Sequence, residues 1–536
     1  MSDRFWLLSV LLVSCACPLQ AADDHHHPDD HTQKLGRVSF TISCAAGVQQ
    51  PFERGVALMH SFWYDEAEKQ FKVLEKKDPS CAMIYWGEAM SLLRQLVSRP
   101  EDADLKRGSE LVRTAKAADT KTQRESDYIS ALALFYRDYD KTAYEQRIEA
   151  YSRAMEKVYQ RYPKDQQAAV FYALSLLTWD VDHDPLANPK QAIAILNHVF
   201  KENPNDPGAA HYLIHASDAP QLAQLGLLAA SRYAQIAPAA PHALHMPSHI
   251  FARLGLWQDD IQSNLASLVA ARQPSAMHVG AEHQIHAMEF LEYAYLQIGE
   301  DDKAGAMVAD FMRIPRGDVT EDLRSNYFDS RIANFPAMHA LEMHRWEDAV
   351  ALQPPANVEP YNEAITYWAR AVAAGHLHDG AATQDAVDQY DAMVEATKKG
   401  KHAFRAKYMS TEQDEAHAWL AFTQEKDDKA IILMRGVADK QDIEGKGEVA
   451  LPAREMFADM LLEMGRPEEA LVEYEKSMRV DPNRFNGLYG AARSAEASGQ
   501  AQIAARYYAK LVKNCEDSKS VGRPELTRAR ALLAKN

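Results

Sequence analysis

The stretch Trp63-Tyr64-Asp65-Glu66-Ala67-Glu68-Lys69-Gln70-Phe71, with Leu74 and the pair Asp78-Pro79 beyond it, decides the fold. Counted from Ala67, a small residue, an aromatic, an aliphatic and a proline stand at offsets 0, 4, 7 and 12. Offsets 0, 4 and 7 lie on one face of a helix, where they pack against a preceding helix. Proline closes the unit because it has no N–H with which to continue the helix. The same offsets recur at Tyr151, Met155, Val158 and Pro163; at Ala192, Leu196, Val199 and Pro204; at Gly226, Ala230, Tyr233 and Pro238; and at Ala470, Tyr474, Ser477 and Pro482. Weaker copies surround Leu254 to Trp257, Gln297 to Gly299, His344 to Ala349, Lys429 to Met434 and Ser498 to Gln500.

This spacing resembles the tetratricopeptide repeat, a helix-turn-helix of about 34 residues. The resemblance implies an all-α chain, a right-handed α-solenoid of 34-residue helix-turn-helix repeats running from 48 to 536, with about ten or eleven units. Interruptions at Arg272 to Gly280, Arg313 to Asn326 and Gln353 to Tyr361 are expected as loops on its edges.

Composition removes other classes. With 59 Lys plus Arg against 76 Asp plus Glu, the net charge is −17, and no basic stripe is present to release counterions from a nucleic acid. An apolar content of 47% is ample for a core. At the start, Arg4, the apolar run Phe5 to Ala16 and the small residues Ala21-Ala22 read as an export signal over 1–21, cleaved after Ala21. Leu12-Val13-Ser14-Cys15 also resembles a bacterial lipobox, so a lipid anchor on Cys15, and with it a membrane association, is the alternative. Residues 22–47 read as a polar tail and cap. The expected location is periplasmic or secreted. Cys44, Cys81 and Cys515 then remain; Cys44 and Cys81 flank the first hairpin and are either bridged or free.

Eight of the 21 His fall between residues 211 and 286. Fixing the register on the closing prolines starts one unit at Pro207 and the next at Pro241. His211 and His215 then occupy positions 5 and 9, and His245 and His249 occupy the same positions 34 residues later (245 − 211 = 34; 249 − 215 = 34). His242 takes position 2. Fixing Gly299 as position 15 starts a third unit at Ile285, with His286 at 2, Glu289 at 5 and Tyr293 at 9. In tetratricopeptide proteins these positions face the concave groove, so the resemblance places a His-rich groove at 207–300.

Spacings of 3 and 4 keep the imidazoles on one stripe, and neighbouring first helices about 8–10 Å apart let stripes share a volume. His211, His215, His242, His245, His249, His286 and Glu289 are therefore candidate ligands of a transition metal, Zn, Cu, Fe or Ni; the lack of nearby Cys argues against a thiolate site. Hydrogen-bonded groove histidines are the plainer reading. Asp218 at position 12 and Arg253, four residues after His249, extend the stripe. His60 and Trp86 are further candidates at the groove's end, Trp86 being equally a packing residue. Glu282-His283-x-x-His286 has the wrong order for a zinc-protease helix, and phosphate-cradling or nucleophile-elbow motifs are not found. Gly445-Lys446-Gly447 reads as a plain loop.

The segment His242-Ala243-Leu244-His245-Met246-Pro247-Ser248-His249-Ile250 is also similar to a subgroup of bacterial exported tetratricopeptide proteins with a His-x-x-His-Met-Pro-Ser-His-Ile core. That resemblance implies the fold and a special His site, and no reaction. Two function classes follow. One is an exported scaffold whose groove binds a peptide, protein or small-molecule ligand and a transition metal. The other is a metal-dependent enzyme, oxidoreductase or hydrolase, with the His cluster as its active site; no catalytic residue is assigned.

Overall fold

Helix Ala46–His60 turns at Ser61 to Trp63 into helix Tyr64–Lys77, and this pairing repeats along the chain. The computed structural model describes residues 34–119, 121–179, 184–273, 280–318, 327–447, 449–519 and 523–534. The proposed signal over 1–21, the tail up to residue 33 and most of the interruptions at 272–280 and 313–326 lie outside the described residues. Among the described residues there is no β-strand, and helix after helix packs against its sequence neighbour. The chain therefore has a tetratricopeptide-like, all-α solenoid fold. No helix among the described residues is long and apolar enough to cross a membrane.

The spacing read from the sequence is the spacing of burial. Ala67, Phe71 and Leu74 are buried, as are Tyr151, Met155 and Val158, Ala192, Leu196 and Val199, Gly226, Ala230 and Tyr233, and Ala470, Tyr474 and Ser477. Each triplet lies on the second helix of its pair. Phe71 shows what the motif does: its ring wedges between two flanking first helices where each carries glycine. A methyl group on Gly55 would come within 2.6 Å of that ring, and one on Gly87 within 2.5 Å.

An extended strap precedes the first helix. Arg37 N donates to Asn205 O at 2.8 Å, and Phe40 enters the core among Phe52, Trp86, Tyr128 and Phe171. Cys44 is disulfide-bonded to Cys81 with Cα atoms 5.2 Å apart, which ties the strap to the second repeat; Cys515 is a buried free thiol. Trp86, 1% exposed within that aromatic cluster, is thus a core residue away from any groove.

The solenoid also closes on itself. Trp257 Nε1 donates to Asn483 O at 2.8 Å, and Asn483 Nδ2 to Gly255 O at 3.2 Å. Arg484 is wholly buried between Glu342 (2.8 Å) and Glu455 (2.9 Å). Arg523 Nη2 donates to Leu296 O at 2.9 Å. Repeats around 250–345 and 440–525 are therefore in direct contact.

Replacing Gly87 by Ala is expected to lower unfolding stability by about 1–3 kcal/mol, as overpacking against a fixed ring does. Urea unfolding followed by far-UV circular dichroism measures it; a neutral or stabilising effect would contradict the Phe71 wedge.

Candidate metal centre

Asp206 caps the helix Pro207–Ala216 by accepting from Ala209 N at 2.9 Å, and Pro207 at its first turn gives up only an N–H that has no helical partner. The next first helix is broken in two, Pro241–His245 and Pro247–Arg253. Pro247 cannot donate to the preceding turn, so the break falls between His245 and His249. Helix Gly280–Gln297 follows with His283, His286 and Glu289.

These helices bring six imidazoles into two groups. One nitrogen from each of His211, His215 and His242 lies within 4.8 Å of the others, and the same holds for His245, His249 and His286. In the first group, His211 Nε2 stands 3.1 Å from both His215 Nε2 and His242 Nε2. In the second, His245 Nε2 is 2.9 Å from His249 Nε2. Tetrahedral coordination with bonds of about 2.0–2.1 Å puts ligand nitrogens roughly 3.3 Å apart, so these separations are a few tenths from a ligating set. The groups adjoin: His215 and His249 have ring centroids 6.1 Å apart, and His242 and His245 6.0 Å apart. Phe62 covers the first group, its ring 5.3 Å from His215 and 5.2 Å from His242; Phe290 lies 4.8 Å from His245 and 4.9 Å from His249.

The other ring nitrogen of three of these histidines is tied outward, and this settles where the protons sit. His211 Nδ1 is 2.6 Å from the His60 carbonyl, which only accepts, so Nδ1 is the protonated nitrogen. His249 Nδ1 donates to Asp218 Oδ2 at 2.8 Å. His245 Nδ1 is 2.6 Å from Asn264 Oδ1, and the Asn264 amide is oriented by donating to Asp260 O and Oδ1. With Nδ1 as the donor, each of the three turns Nε2 inward. Burial, reinforced by the neighbouring imidazoles, holds His211, His242 and His245 well below the usual imidazole pKa, so the rings are neutral at pH 7. His245 and His249 thus face one another through Nε2 across 2.9 Å. That contact is repulsive between neutral rings and attractive once a cation lies between them.

The remaining candidates take supporting places. Glu289 stands outside both groups: it accepts from Arg331 Nε at 2.9 Å, and its carboxylate is 3.6 Å from His286 Nδ1. Arg253 Nε donates to Asp218 Oδ1 at 3.0 Å and its Nη2 to Lys446 O at 2.9 Å, so it steadies the carboxylate that orients His249. Gly445-Lys446-Gly447 is a loop, as its sequence reads, and the Lys446 side chain is buried in it against Asp481 at 3.0 Å. Tyr293 is buried beside Trp257 and accepts from Arg484. His60 accepts from Tyr212 OH at 2.9 Å through Nδ1 and donates to Gln167 Oε1 at 2.8 Å through Nε2, the Gln167 amide being oriented by Asp206.

Sequence reasoning missed Asn264, Phe62 and Tyr327, whose hydroxyl meets His286 Nδ1 at 2.8 Å. None of them shares the stripe's register. It also missed a cavity of about 420 Å³ lined by His286, by helices of later repeats and by Gly447, Val449, Ala450 and Leu451.

No family model matches the chain, and no curated protein does. Among solved structures it is similar to a monomeric mutant of IFIT1 with m7Gppp-AAAA (12% identity, TM-score 0.37, covering 81% of this chain and 90% of that one) and to the human IFIT1 dimer with m7Gppp-AAAA (12%, TM-score 0.36, with the same coverage). The tetratricopeptide domain of P58(IPK) aligns over 91% of this chain and 99% of its own at 11% identity and a TM-score of 0.21.

Burial lowers the His60 pKa to about 4, against the opposing pull of the Gln167 hydrogen bond. The unfolded chain takes up this proton near pH 6.5 and the folded chain only near 4, so stability present above pH 6.5 is lost as the pH falls between these values. At ~1.4 kcal/mol per pH unit the loss from His60 approaches roughly 3 kcal/mol. Urea unfolding of wild type and His60→Gln at pH 7 and pH 4 should show a wild-type advantage that shrinks at the lower pH; a constant gap would contradict it.

Proposed function

We propose that the chain binds transition-metal ions through its six clustered imidazoles, three to each ion, inside the concave face of a tetratricopeptide-like solenoid. The observation that carries this reading is the pair of Nε2 atoms of His245 and His249 held face to face at 2.9 Å by the Asn264 and Asp218 hydrogen bonds. Hydrogen bonds on the outer nitrogen are what orient ligating imidazoles in metal sites. All-nitrogen donors suit Zn, Cu, Ni or Fe. The His-Met-Pro-Ser-His-Ile core allies the chain with the exported bacterial subgroup it resembles, which fits a periplasmic or secreted setting, or a lipid anchor at Cys15.

The cavity favours a small-molecule ligand over a protein partner, since its volume of about 420 Å³ lies within the ordinary range of small-ligand sites. Because His286 belongs to one imidazole group and also lines that cavity, the second reading, a metal-dependent oxidoreductase or hydrolase, has a specific observation behind it.

Elemental analysis of tag-free protein, as purified and after reconstitution with each metal followed by desalting, is expected to give about two ions per chain for the preferred metal. His245→Ala with His249→Ala should remove about one of them and leave the circular dichroism unchanged. Less than about 0.2 ion per chain under all conditions would sink the metal reading.

A further inference from the structure

The cavity beside His286 carries a feature that the metal reading does not use. Glu412 and Glu415 stand one turn apart on the helix Ser410–Thr423, and both line it. Glu415 is 2% exposed; its Oε2 accepts from Trp368 Nε1 at 2.8 Å, and Gln441 Nε2 lies 3.5 Å from its Oε1. Glu412 Oε2 is shielded from solvent and accepts no hydrogen bond from any described residue. Neither carboxyl forms an ion pair among the described residues. The other charged groups lining the cavity are engaged: Arg331 bonds Glu289, and the Arg405 guanidinium sits over the Tyr361 ring at 5.1 Å. The Lys440 charge pulls against burial at Glu412, by less than burial does.

Two buried carboxyls without a cation are costly to hold, and a buried oxygen without a donor adds to the cost. Burial accordingly pushes both carboxyls up, Glu415 well above the usual range. A ligand that brings an N–H donor and a positive charge relieves both defects at once. The walls suit the same ligand. Trp368, Tyr390 and Tyr408 offer aromatic faces, which attract cations and cover a flat apolar body.

We propose that this cavity binds a small organic ammonium ion, an amine whose charged end sits on Glu412 and Glu415 and whose apolar body lies against Trp368 and Tyr408. An anion of the same size has only an arginine already held by Glu289 and one laid on a tyrosine ring to meet it, and it would face the two carboxyls. A neutral molecule leaves the Glu412 oxygen as costly as before. His286 lines the same cavity, so the amine sits within reach of the imidazole groups, yet the site needs no metal to form.

Isothermal titration calorimetry on the full chain with benzylamine, benzyl alcohol and benzoate tests the assignment. Benzylamine is expected to bind, with benzyl alcohol and benzoate weaker by about tenfold or more. Glu415→Gln, which keeps the hydrogen bonds to Trp368, and Glu412→Gln should each weaken benzylamine by about tenfold, with unfolding midpoints confirming that both variants fold. The His245→Ala with His249→Ala variant and chelator-treated protein should bind benzylamine within about threefold of wild type. Loss of the metal reading therefore leaves this one standing, and the reverse. Failure of benzylamine to bind, equal or tighter binding of benzoate, or unchanged affinity in both Gln variants would overturn the proposal.

Discussion

The imidazole centre rests on the register between first helices of successive repeats. Second helices bury side chains at fixed offsets, and wedges such as Phe71 between Gly55 and Gly87 set how the next first helix lies. Once that packing is fixed, side chains 34 residues apart point into the same volume, and His211 and His215 meet His242, with His245 and His249 beside them. Pro247 then breaks the helix between two of these histidines. The six rings come from neighbouring repeats, and His60 and Phe62 reach the first group from the start of the solenoid.

Long-range contacts supply a different property, which is closure. The turn of the superhelix is closed by Trp257 on Asn483 and by Arg484 between Glu342 and Glu455, and Lys446 comes over the carboxylate-bearing side of the centre through Arg253. Burial keeps His211, His242 and His245 neutral, which is the protonation state a metal ligand needs.

The repeat spacing was fully legible in sequence because a helical face leaves a period, and every offset triplet read from it is buried. The histidine register was legible for the same reason. Glu289 shares the stripe but is drawn to Arg331, a residue some forty positions away whose pairing leaves no local signal. Trp86 is claimed by the strap through Phe40, and Asn264 reaches His245 from the second helix of the pair, off the stripe. The Glu412 and Glu415 pair looks like an ordinary helix face in sequence. Only the closed superhelix makes it a buried one.

The most direct measurement is X-ray absorption at the edge of whichever metal the chain retains. Three-imidazole coordination predicts a first shell of nitrogens at roughly 2.0–2.1 Å, with the outer-shell scattering that imidazole rings produce. A shell of oxygen or sulfur ligands without imidazole scattering would contradict the account.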